Sequence, residues 1–383
     1  MEPTFDAVTL QTTKQCNLKC RYCYLGHSAS VSDDVGFMSV DIVKKVFNDL
    51  IVYHKAKDID TGISCTFHGG EPLLLGHKFF RETLEFFQDL EDKFGIPIKK
   101  SLQTNLTLLD QEYCQIFKKH DVSVGTSIDG PREMHDRHRV MLSGGTHERI
   151  MRNVQLARDN GIDVGAICTV TKDKLHEAKK IYDFFLENNM GFKTNSLFLQ
   201  GAAIENWQDL RISLQEFGNF FCELFDMWYD GPSSVMAENL TEVMLIVLKG
   251  AEYGDCSSIN CAHRQFTVTH TGECTPCGRT VGIDGFALGN VKEDDFFKIA
   301  ESSTFKFLSL RVPDKIEECA GCDLKTVCYS GCMYDAYLEH GTIFAPGGDC
   351  AGFRHMYEHV RSRMLEDVTR YSINVGGNDG SSS

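Results

Sequence analysis

The chain has 383 residues, of which 42% are hydrophobic and 24% charged, and its net charge at pH 7 is −15. This composition is typical of a globular protein with one large and one smaller domain, and the acidic charge argues against nucleic-acid binding. The longest strongly apolar run, Val243 to Leu248, is too short to cross a bilayer. Because the start also lacks the features of a secretory signal, the sequence predicts a cytoplasmic protein without a membrane partner.

The first half of the chain alternates short apolar runs with amphipathic stretches. The predicted strands are Ala7–Thr12, Ile63–His68, Lys99–Thr104, Ser123–Ser127, Val164–Val170 and Phe192–Leu199. The predicted helices between them are Val40–Lys55, Lys78–Phe94, Gln111–His120, His147–Asn160 and Leu175–Asn188, and Gly95 and Gly161 stand where C-terminal caps are expected. Six strands that alternate with helices predict parallel βαβ units, in either a partial barrel or a doubly wound sheet.

Four notable motifs each follow the end of a predicted strand. They are the cysteine run after the first strand, Gly69-Gly70-Glu71-Pro72 after the second, Asn105 after the third and Asp129-Gly130-Pro131 after the fourth. Any one of them could merely punctuate a turn. Parallel α/β folds place their active sites at the carboxyl ends of the strands, so four motifs on this edge together predict a functional site.

The cysteine run contains Cys16, Cys20 and Cys23 with the spacing Cys-x3-Cys-x2-Cys. Three thiolates can hold three irons of a cubane iron–sulfur cluster and leave the fourth iron open to a small molecule. The alternatives are three unrelated thiols, or a zinc site in which His27 supplies the fourth ligand.

Beyond Leu199 the pattern changes, with predicted helices near Leu210–Trp228 and Asn239–Lys249 followed by a cysteine-rich region. We therefore predict a barrel or sheet domain over residues 1–205, a helical bridging region over 206–250 and a small cysteine-rich domain over 251–360. Residues 361–383 are expected to hold the end of a helix and a disordered, Gly/Ser-rich tail.

Nine of the sixteen cysteines lie between Cys256 and Cys350. In a reducing compartment such a density favours metal or redox use over disulfides. Nine thiols suffice for two fully ligated cubanes with one thiol left over, but two zinc sites would use the same number. The four scattered cysteines are predicted to be buried apolar residues: Cys65, Cys114, Cys168 and Cys222.

The cysteine triplet, the Tyr22 inside it and the Gly-Gly-Glu-Pro run resemble the radical S-adenosylmethionine superfamily, and the resemblance continues through SLQTNLTLLD, GTSIDGP and HDRHR. It implies a partial (β/α)6 TIM-like barrel. It also implies that S-adenosylmethionine binds the open iron and is split by one electron into a 5′-deoxyadenosyl radical. The residues that would contact S-adenosylmethionine are Tyr22, Gly70, Ser127, Arg139 and Leu199. A guanidinium such as that of Arg139 suits the methionine carboxylate.

The later cysteines, in the order C-x2-C-x5-C-x3-C followed by a distant cysteine, resemble the SPASM domain of such enzymes. The resemblance implies two auxiliary iron–sulfur clusters, and hence three 4Fe-4S clusters in the chain. The first would be held by Cys256, Cys261, Cys277 and Cys332. The second would be held by Cys319, Cys322, Cys328 and Cys350. Cys274 is left over.

Enzymes with a SPASM domain typically modify peptides or protein side chains, and the overall pattern is similar to anaerobic sulfatase-maturating enzymes. That family places a catalytic aspartate directly after the cysteine of its YPCD-like segment, where this chain has Gly278. Oxidation of Ser or Cys to formylglycine needs a base for the O–H or S–H proton, and glycine cannot act as one.

Other segments, HGGEPL and SIDGPREMHDRHR, are more similar to peptide maturases. We therefore expect a maturase that forms an oxidative carbon–carbon, ether or thioether cross-link in a ribosomal precursor peptide, with a ferredoxin or flavodoxin as its electron donor. Formylglycine formation on a sulfatase is the alternative. A non-enzymatic, zinc-stapled interaction protein is the third possibility.

Overall fold

The computed structural model describes residues 2–26, 36–232, 234–250, 260–348 and 350–376, with side chains placed as far as residue 367. His27, Cys256 and the Gly/Ser-rich residues 377–383, on which three of the sequence predictions fall, lie outside the described residues. Within the described part of the chain, no helix combines the length and the apolar character that a membrane crossing needs.

Six parallel strands form the main sheet, and they lie side by side in the order in which they occur along the chain. They are β1 (Ala7–Gln11), β2 (Ile63–His68), β3 (Ile98–Thr104), β4 (Ser123–Ser127), β5 (Val164–Thr169) and β6 (Phe192–Asn195). The helices between them are α1 (Val40–Ala56), α2 (Gly76–Phe94), α3 (Gln111–Lys119), α4 (His147–Asp159) and α5 (Ala178–Glu187). This arrangement confirms the predicted partial barrel.

The helices form where the amphipathic pattern and the capping residues agree. The Ser39 side chain accepts a hydrogen bond from the Ile42 N–H at the start of α1, and Asp110 does the same for Tyr113 at the start of α3. Gly95 ends α2 in the left-handed conformation, as the sequence predicts. The buried apolar residues of these helices belong to one hydrophobic core with those of the strands.

Most predicted elements of the barrel agree with the structure to within about two residues at each end, and two differ by more. The predicted strand Phe192–Leu199 ends at Asn195, because the chain then turns and the next three residues line a cavity. The helix predicted from Leu175 begins at Ala178 instead, after a single 3-10 turn over Lys172–Lys174. That turn directs the Lys174 side chain into the protein interior, where it is fully buried.

The cysteine-rich part of the chain extends the same sheet. Strand β7 (Gln265–Thr269) pairs in parallel with β1, and β8 (Glu273–Thr275) and β9 (Gly289–Asn290) continue the sheet in antiparallel fashion. This continuation of the sheet was not predicted from the sequence. It joins the second part of the chain to the edge of the barrel through backbone hydrogen bonds, so the cysteines that follow β7 are held at a fixed position beside β1.

The remaining long helices are α6 (Leu214–Asp230), α7 (Glu238–Lys249) and α8 (Cys350–Gly376). The predicted helix over 210–228 corresponds to two helices in the structure. Ser213 and Glu216 form a capping box that starts α6, and a separate short helix precedes it. Arg363 of α8 forms an ion pair with Asp230 of α6 at 2.7 Å. The shorter helices are Arg132–His135, Ala202–Glu205, Trp207–Leu210, Phe296–Glu301, Ser303–Ser309, Glu317–Ala320, Lys325–Cys328 and Met333–His340.

Candidate active site

A cavity opens at the carboxyl edge of the six parallel strands. The structure brings most of the predicted site residues to its wall, namely Cys16, Tyr22, Cys20, Cys23, Gly70, Ser127 and Arg139. Leu199 is 41% exposed and is not part of the wall, whereas its neighbour Phe198 is. The motifs that follow the first four strands therefore meet in space, as parallel topology requires.

The three cysteines of the barrel loop differ in exposure. Cys16 is exposed, whereas Cys20 is buried and burial raises the pKa of its thiol to about 11. The Cys16 sulfur accepts hydrogen bonds from the Leu18 N–H at 3.4 Å and from Asn105 Nδ2 at 3.6 Å. Thiolates with N–H donors directed at sulfur suit an iron–sulfur cluster, since such hydrogen bonds help to set its potential.

The two glycines of the Gly-Gly-Glu-Pro run allow the cysteine loop to pack closely. A Cβ atom on Gly70 would overlap the carbonyl oxygen of Gln15, and one on Gly69 would overlap that of Thr13. The same carbonyls accept backbone hydrogen bonds, from Gly70 N to Thr13 O and from Glu71 N to Gln15 O, each at 2.8 Å. These two glycines therefore hold the loop that carries Cys16 against the end of β2.

Glu71 is a fully buried carboxylate that connects this run to the next strand end. It accepts hydrogen bonds from the Thr104 hydroxyl at 2.6 Å and from the Asn105 N–H at 2.7 Å, as well as from the Leu73 N–H. Burial raises the pKa of its carboxyl, although these donors oppose the shift. Since Asn105 in turn donates to the Cys16 sulfur, Glu71 orients the residue that contacts this predicted ligand.

A second buried carboxylate, Asp129, lies at the end of β4. It accepts hydrogen bonds from Lys174 Nζ at 2.8 Å and from the Tyr22 hydroxyl, and both Asp129 and Lys174 are fully buried. Burial alone would raise the pKa of Asp129, but Lys174 and Arg139 outweigh it and hold the pKa at about 2. Lys174 was not predicted from the sequence, because a lysine in a Lys-Asp-Lys run resembles a solvated surface residue.

Arg139 is the residue whose geometry best tests the predicted S-adenosylmethionine site. Its guanidinium is buried at the cavity wall, and Nη1 donates to the Tyr22 hydroxyl at 3.1 Å. Its Nε atom is buried and has no hydrogen-bond partner. A buried cation with an unused donor fits a carboxylate ligand, so the residues present suit the methionine end of S-adenosylmethionine.

The cavity wall contains one imidazole, that of His68, and no Asp or Glu among the residues that the structure describes. Burial lowers the pKa of His68 to about 4, so its ring is neutral at pH 7. Its Nδ1 atom accepts the Gly69 N–H at 2.6 Å, which leaves the ring proton on Nε2. His68 therefore presents a donor, rather than a free lone pair, to the cavity.

Three of the C-terminal cysteines form a first group beside the barrel. Burial, followed by the proximity of Cys277 and Cys332, raises the pKa of Cys261. Burial also raises the pKa of Cys332 to about 11. Arg279 Nη1 lies 3.7 Å from the Cys332 sulfur. These are the predicted ligands of the first auxiliary cluster, apart from Cys256, which lies outside the described residues.

A second group contains Cys319, Cys322, Cys328 and Cys350. Burial, followed by the proximity of Cys350, raises the pKa of Cys328 to about 11, and Cys319 contributes in the same direction. The Cys322 sulfur accepts a hydrogen bond from Arg354 Nη2 at 3.7 Å. Between the two groups, the buried guanidinium of Arg311 donates to four backbone carbonyls, those of Tyr329, Ser330, Ile343 and Ala345.

Cys274 belongs to neither group. It is fully buried on β8, where its backbone pairs with Val268. Burial raises the pKa of its thiol, and the charged groups that act on it are Glu273 and Asp294 rather than another cysteine. The four scattered cysteines are buried as well, which confirms that prediction.

No three His, Cys, Asp or Glu side chains within the described ranges converge closely enough to hold a single metal ion. The thiolates of a cubane bind separate irons and therefore need not converge on one point.

Comparisons with known proteins agree with this geometry. The family model of the radical SAM superfamily matches residues 10–185, and that of the SPASM iron–sulfur cluster-binding domain matches residues 256–323. The chain is 26% identical over 374 residues to a cysteine-type anaerobic sulfatase-maturating enzyme of Clostridium perfringens, covering 95% of this chain and 98% of that one. It is 24% identical over 373 residues to a serine-type enzyme of Bacteroides thetaiotaomicron, covering 91% and 87%.

Two solved structures share the fold. A structure of anSMEcpe with bound AdoMet has a TM-score of 0.79 and 24% identity, covering 95% of this chain and 99% of that chain. Streptococcus suis SuiB bound to precursor peptide SuiA has a TM-score of 0.63 and 15% identity, covering 90% and 75%. At these identities the likeness supports the architecture of a barrel followed by a cysteine-rich domain.

Proposed function

Since the chain belongs to the radical S-adenosylmethionine superfamily and carries a SPASM domain, we propose that it forms an oxidative cross-link in a ribosomally made precursor peptide. When bound, the cluster and S-adenosylmethionine supply a radical that removes hydrogen from an unactivated carbon. Because the chain is a radical S-adenosylmethionine enzyme, the alternative of a non-enzymatic zinc protein is wrong.

We assign the barrel cluster to Cys16, Cys20 and Cys23, and two auxiliary clusters to the two C-terminal groups. The grouping of the thiols and the N–H donors directed at Cys16, Cys322 and Cys332 support three clusters in total. Tyr22, Gly70, Ser127 and Arg139 line the cavity and are proposed to contact S-adenosylmethionine. Leu199 is outside the cavity wall. It would contact S-adenosylmethionine only through its backbone or after a shift of its loop.

The position of Gly278 is the observation that carries the choice of reaction. A Cβ atom built on Gly278 would lie 3.5 Å from the Tyr24 hydroxyl, and Tyr24 lines the cavity. A carboxylate at this position would therefore be near the reacting centre, and this chain lacks it. The described residues of the cavity wall include no Asp or Glu, and His68 presents an N–H proton rather than a lone pair.

Formylglycine formation needs a base for the O–H or S–H proton of the substrate. The described cavity offers none that is ready at neutral pH, so the geometry favours a reaction at carbon followed by bond formation. A peptide substrate is supported by two structural relatives: anSMEcpe has been solved with the Cp18Cys peptide, and SuiB with precursor peptide SuiA. A ferredoxin or flavodoxin remains the proposed electron donor.

Formylglycine formation remains the second candidate because of one specific observation. The similarity to sulfatase-maturating enzymes extends over nearly the whole of both chains. A base supplied by the substrate or by a bound water would be needed for that reaction here.

The test is an anaerobic reaction of the reconstituted enzyme with S-adenosylmethionine, dithionite and a precursor peptide encoded beside it. Loss of two hydrogens from the peptide, with no aldehyde trapped by a hydrazine reagent, is the expected result. A trapped aldehyde on a sulfatase-motif peptide would favour the second candidate. An unchanged mass with uptake of solvent deuterium would indicate epimerisation and contradict the cross-link.

A pair of variants tests the role of Gly278 directly. Gly278→Asp restores a carboxylate, and Gly278→Asn introduces a side chain of the same size without a base; a Cβ atom at this position makes only ordinary contacts, so both should fold. We expect only Gly278→Asp to gain aldehyde formation on a cysteine-containing sulfatase-motif peptide. Equal aldehyde formation by the parent enzyme would show that the missing carboxylate does not decide the reaction.

A further inference from the structure

Arg279 follows Gly278 directly, and its guanidinium lies between the cavity and the first auxiliary cysteine group. Its Cζ atom is 3.9 Å from the centre of the Phe198 ring, which lines the cavity. On the other side, Nη1 donates to the Cys332 sulfur at 3.7 Å. The side chain is only 14% exposed, so a positive charge is held in a largely dry position next to a proposed cluster ligand.

Further contacts hold this guanidinium in place. Nη2 donates to Asp335 Oδ1 at 2.6 Å, and the backbone carbonyl of Arg279 accepts a hydrogen bond from Gln200 Nε2 at 2.8 Å. The Tyr334 ring lies 5.0 Å from Cζ on a second face. Since both the side chain and the backbone are anchored, the N–H donor is pre-oriented toward the sulfur.

A cluster becomes more negative when it is reduced. A hydrogen bond to one of its sulfur ligands and a nearby cation both stabilise that negative charge, and so raise the reduction potential. The Asp335 carboxylate acts on Cys332 with the opposite sign to Arg279. Arg279 pairs with that carboxylate and donates to the sulfur, so its removal would leave a negative charge unpaired beside Cys332.

The second cysteine group contains a matched arrangement. Arg354 Nη2 donates to the Cys322 sulfur, also at 3.7 Å, and the same guanidinium pairs with Asp323. The difference is exposure: the Arg354 side chain is 40% exposed and shares its charge with Glu358 as well. Solvent screens an exposed charge much more than a buried one.

We propose that Arg279 is a positioning and tuning residue that raises the reduction potential of the auxiliary cluster held by Cys261, Cys277 and Cys332, and that Arg354 has a much smaller effect on the other auxiliary cluster. The inference rests on the cluster assignment made above, but not on the identity of the peptide or of the bond formed.

The test is a redox titration followed by electron paramagnetic resonance, with no S-adenosylmethionine or peptide present. The protein is the reconstituted full chain with Cys16→Ala, Cys20→Ala and Cys23→Ala, so that only the auxiliary clusters give signals. In this background we expect Arg279→Gln to make reduction of one cluster at least tenfold less favourable, a shift of about 59 mV for one electron. Arg279→Lys, which keeps the charge, should retain most of the parent potential.

Arg354→Gln is the control variant. We expect it to shift the midpoint potential of the other auxiliary cluster by clearly less than the shift in Arg279→Gln. Unchanged midpoints in Arg279→Gln, or an equal shift in Arg279→Lys, would overturn the proposal. Loss of about four irons per chain in Arg279→Gln would assign the residue a structural role and overturn it too. Because no peptide is present, failure of the cross-linking reaction would leave this result unaffected.

Discussion

The cysteine loop of the barrel and the C-terminal cysteines differ in the groups that surround their sulfurs. At Cys16 the hydrogen-bond donors found are neutral, a backbone N–H and the Asn105 amide, and the buried carboxylate of Glu71 lies just behind them. At Cys332 and Cys322 guanidinium groups donate to the sulfur, and at Cys332 the Asp335 N–H donates as well. The predicted ligands of the two regions thus differ in the charge of their hydrogen-bond donors.

This difference has a physical consequence for electron transfer. Neutral donors and a nearby carboxylate stabilise added negative charge less than arginines do, and the potential of a cluster follows its charge environment. The surroundings of Cys16 therefore favour a lower potential than those of Cys332 and Cys322, while Arg139 adds a positive charge near Cys20 and Cys23. The division matches the proposed sequence of radical formation at the barrel followed by oxidation of the peptide.

Removal of one ligand from each region gives the largest expected contrast. Cys20→Ala should reduce 5′-deoxyadenosine formation to background, because the barrel site can no longer bind the complete cluster. Cys277→Ala should retain most of the cleavage of S-adenosylmethionine but lose the peptide product, since it removes a proposed ligand of an auxiliary cluster only. Chromatography of 5′-deoxyadenosine and mass spectrometry of the peptide measure both. Equal loss of cleavage in the two variants would contradict the division of roles.

The next contrast compares a buried ion pair of the barrel with an exposed one. Lys174→Met leaves Asp129 buried without its cation, and we expect a loss of about 3–5 kcal/mol in the free energy of unfolding. The matched control is Lys179→Met, which breaks an exposed ion pair with Asp183 and should cost no more than about 1 kcal/mol. Urea unfolding under anaerobic conditions measures both values, and similar losses would show that the buried pair contributes nothing special.

The same carboxylate predicts an acid limit to stability. The pKa of Asp129 falls from an ordinary 3.8 to about 2 in the folded protein, so the unfolded chain takes up the proton first. Its contribution, about 2 kcal/mol, is complete above pH 5 and disappears as the pH falls through about 4 to 2. Unfolding midpoints should therefore fall more steeply over this range in the parent than in Asp129→Asn, and parallel curves would refute the assignment.

Local patterns predict much of the barrel. The bounds of Ile63–His68 and Ser123–Ser127 agree with the structure, because turn residues flank these apolar runs on both sides. The pairing of Gln265–Thr269 with β1 could not be predicted, since it joins segments that are more than 250 residues apart and leaves no local signal. The order of the strands then explains why motifs scattered over the first 140 residues meet at one cavity.

The electrostatic partners of the predicted ligands carry less signal in the sequence than the predicted ligands themselves. Cysteine spacing is itself a signal, because a cluster imposes it. Lys174 and Arg279 carry no such signal: each is an ordinary charged residue in sequence, and only the fold places one beneath Asp129 and the other beside Cys332. A charged residue next to a strand end or a ligand cysteine is the one cue that could have identified them.

The smallest expected effect concerns Cys274, which belongs to neither group of predicted ligands. Cys274→Ala should leave the iron and sulfide content and the peptide product unchanged, and should lower the free energy of unfolding by about 1 kcal/mol through a small cavity. Cys65→Ala, at another fully buried thiol, is the control and should behave in the same way. Loss of iron in Cys274→Ala alone would mean that the C-terminal region uses this thiol as a ligand, and that its buried position on β8 changes when the cluster binds.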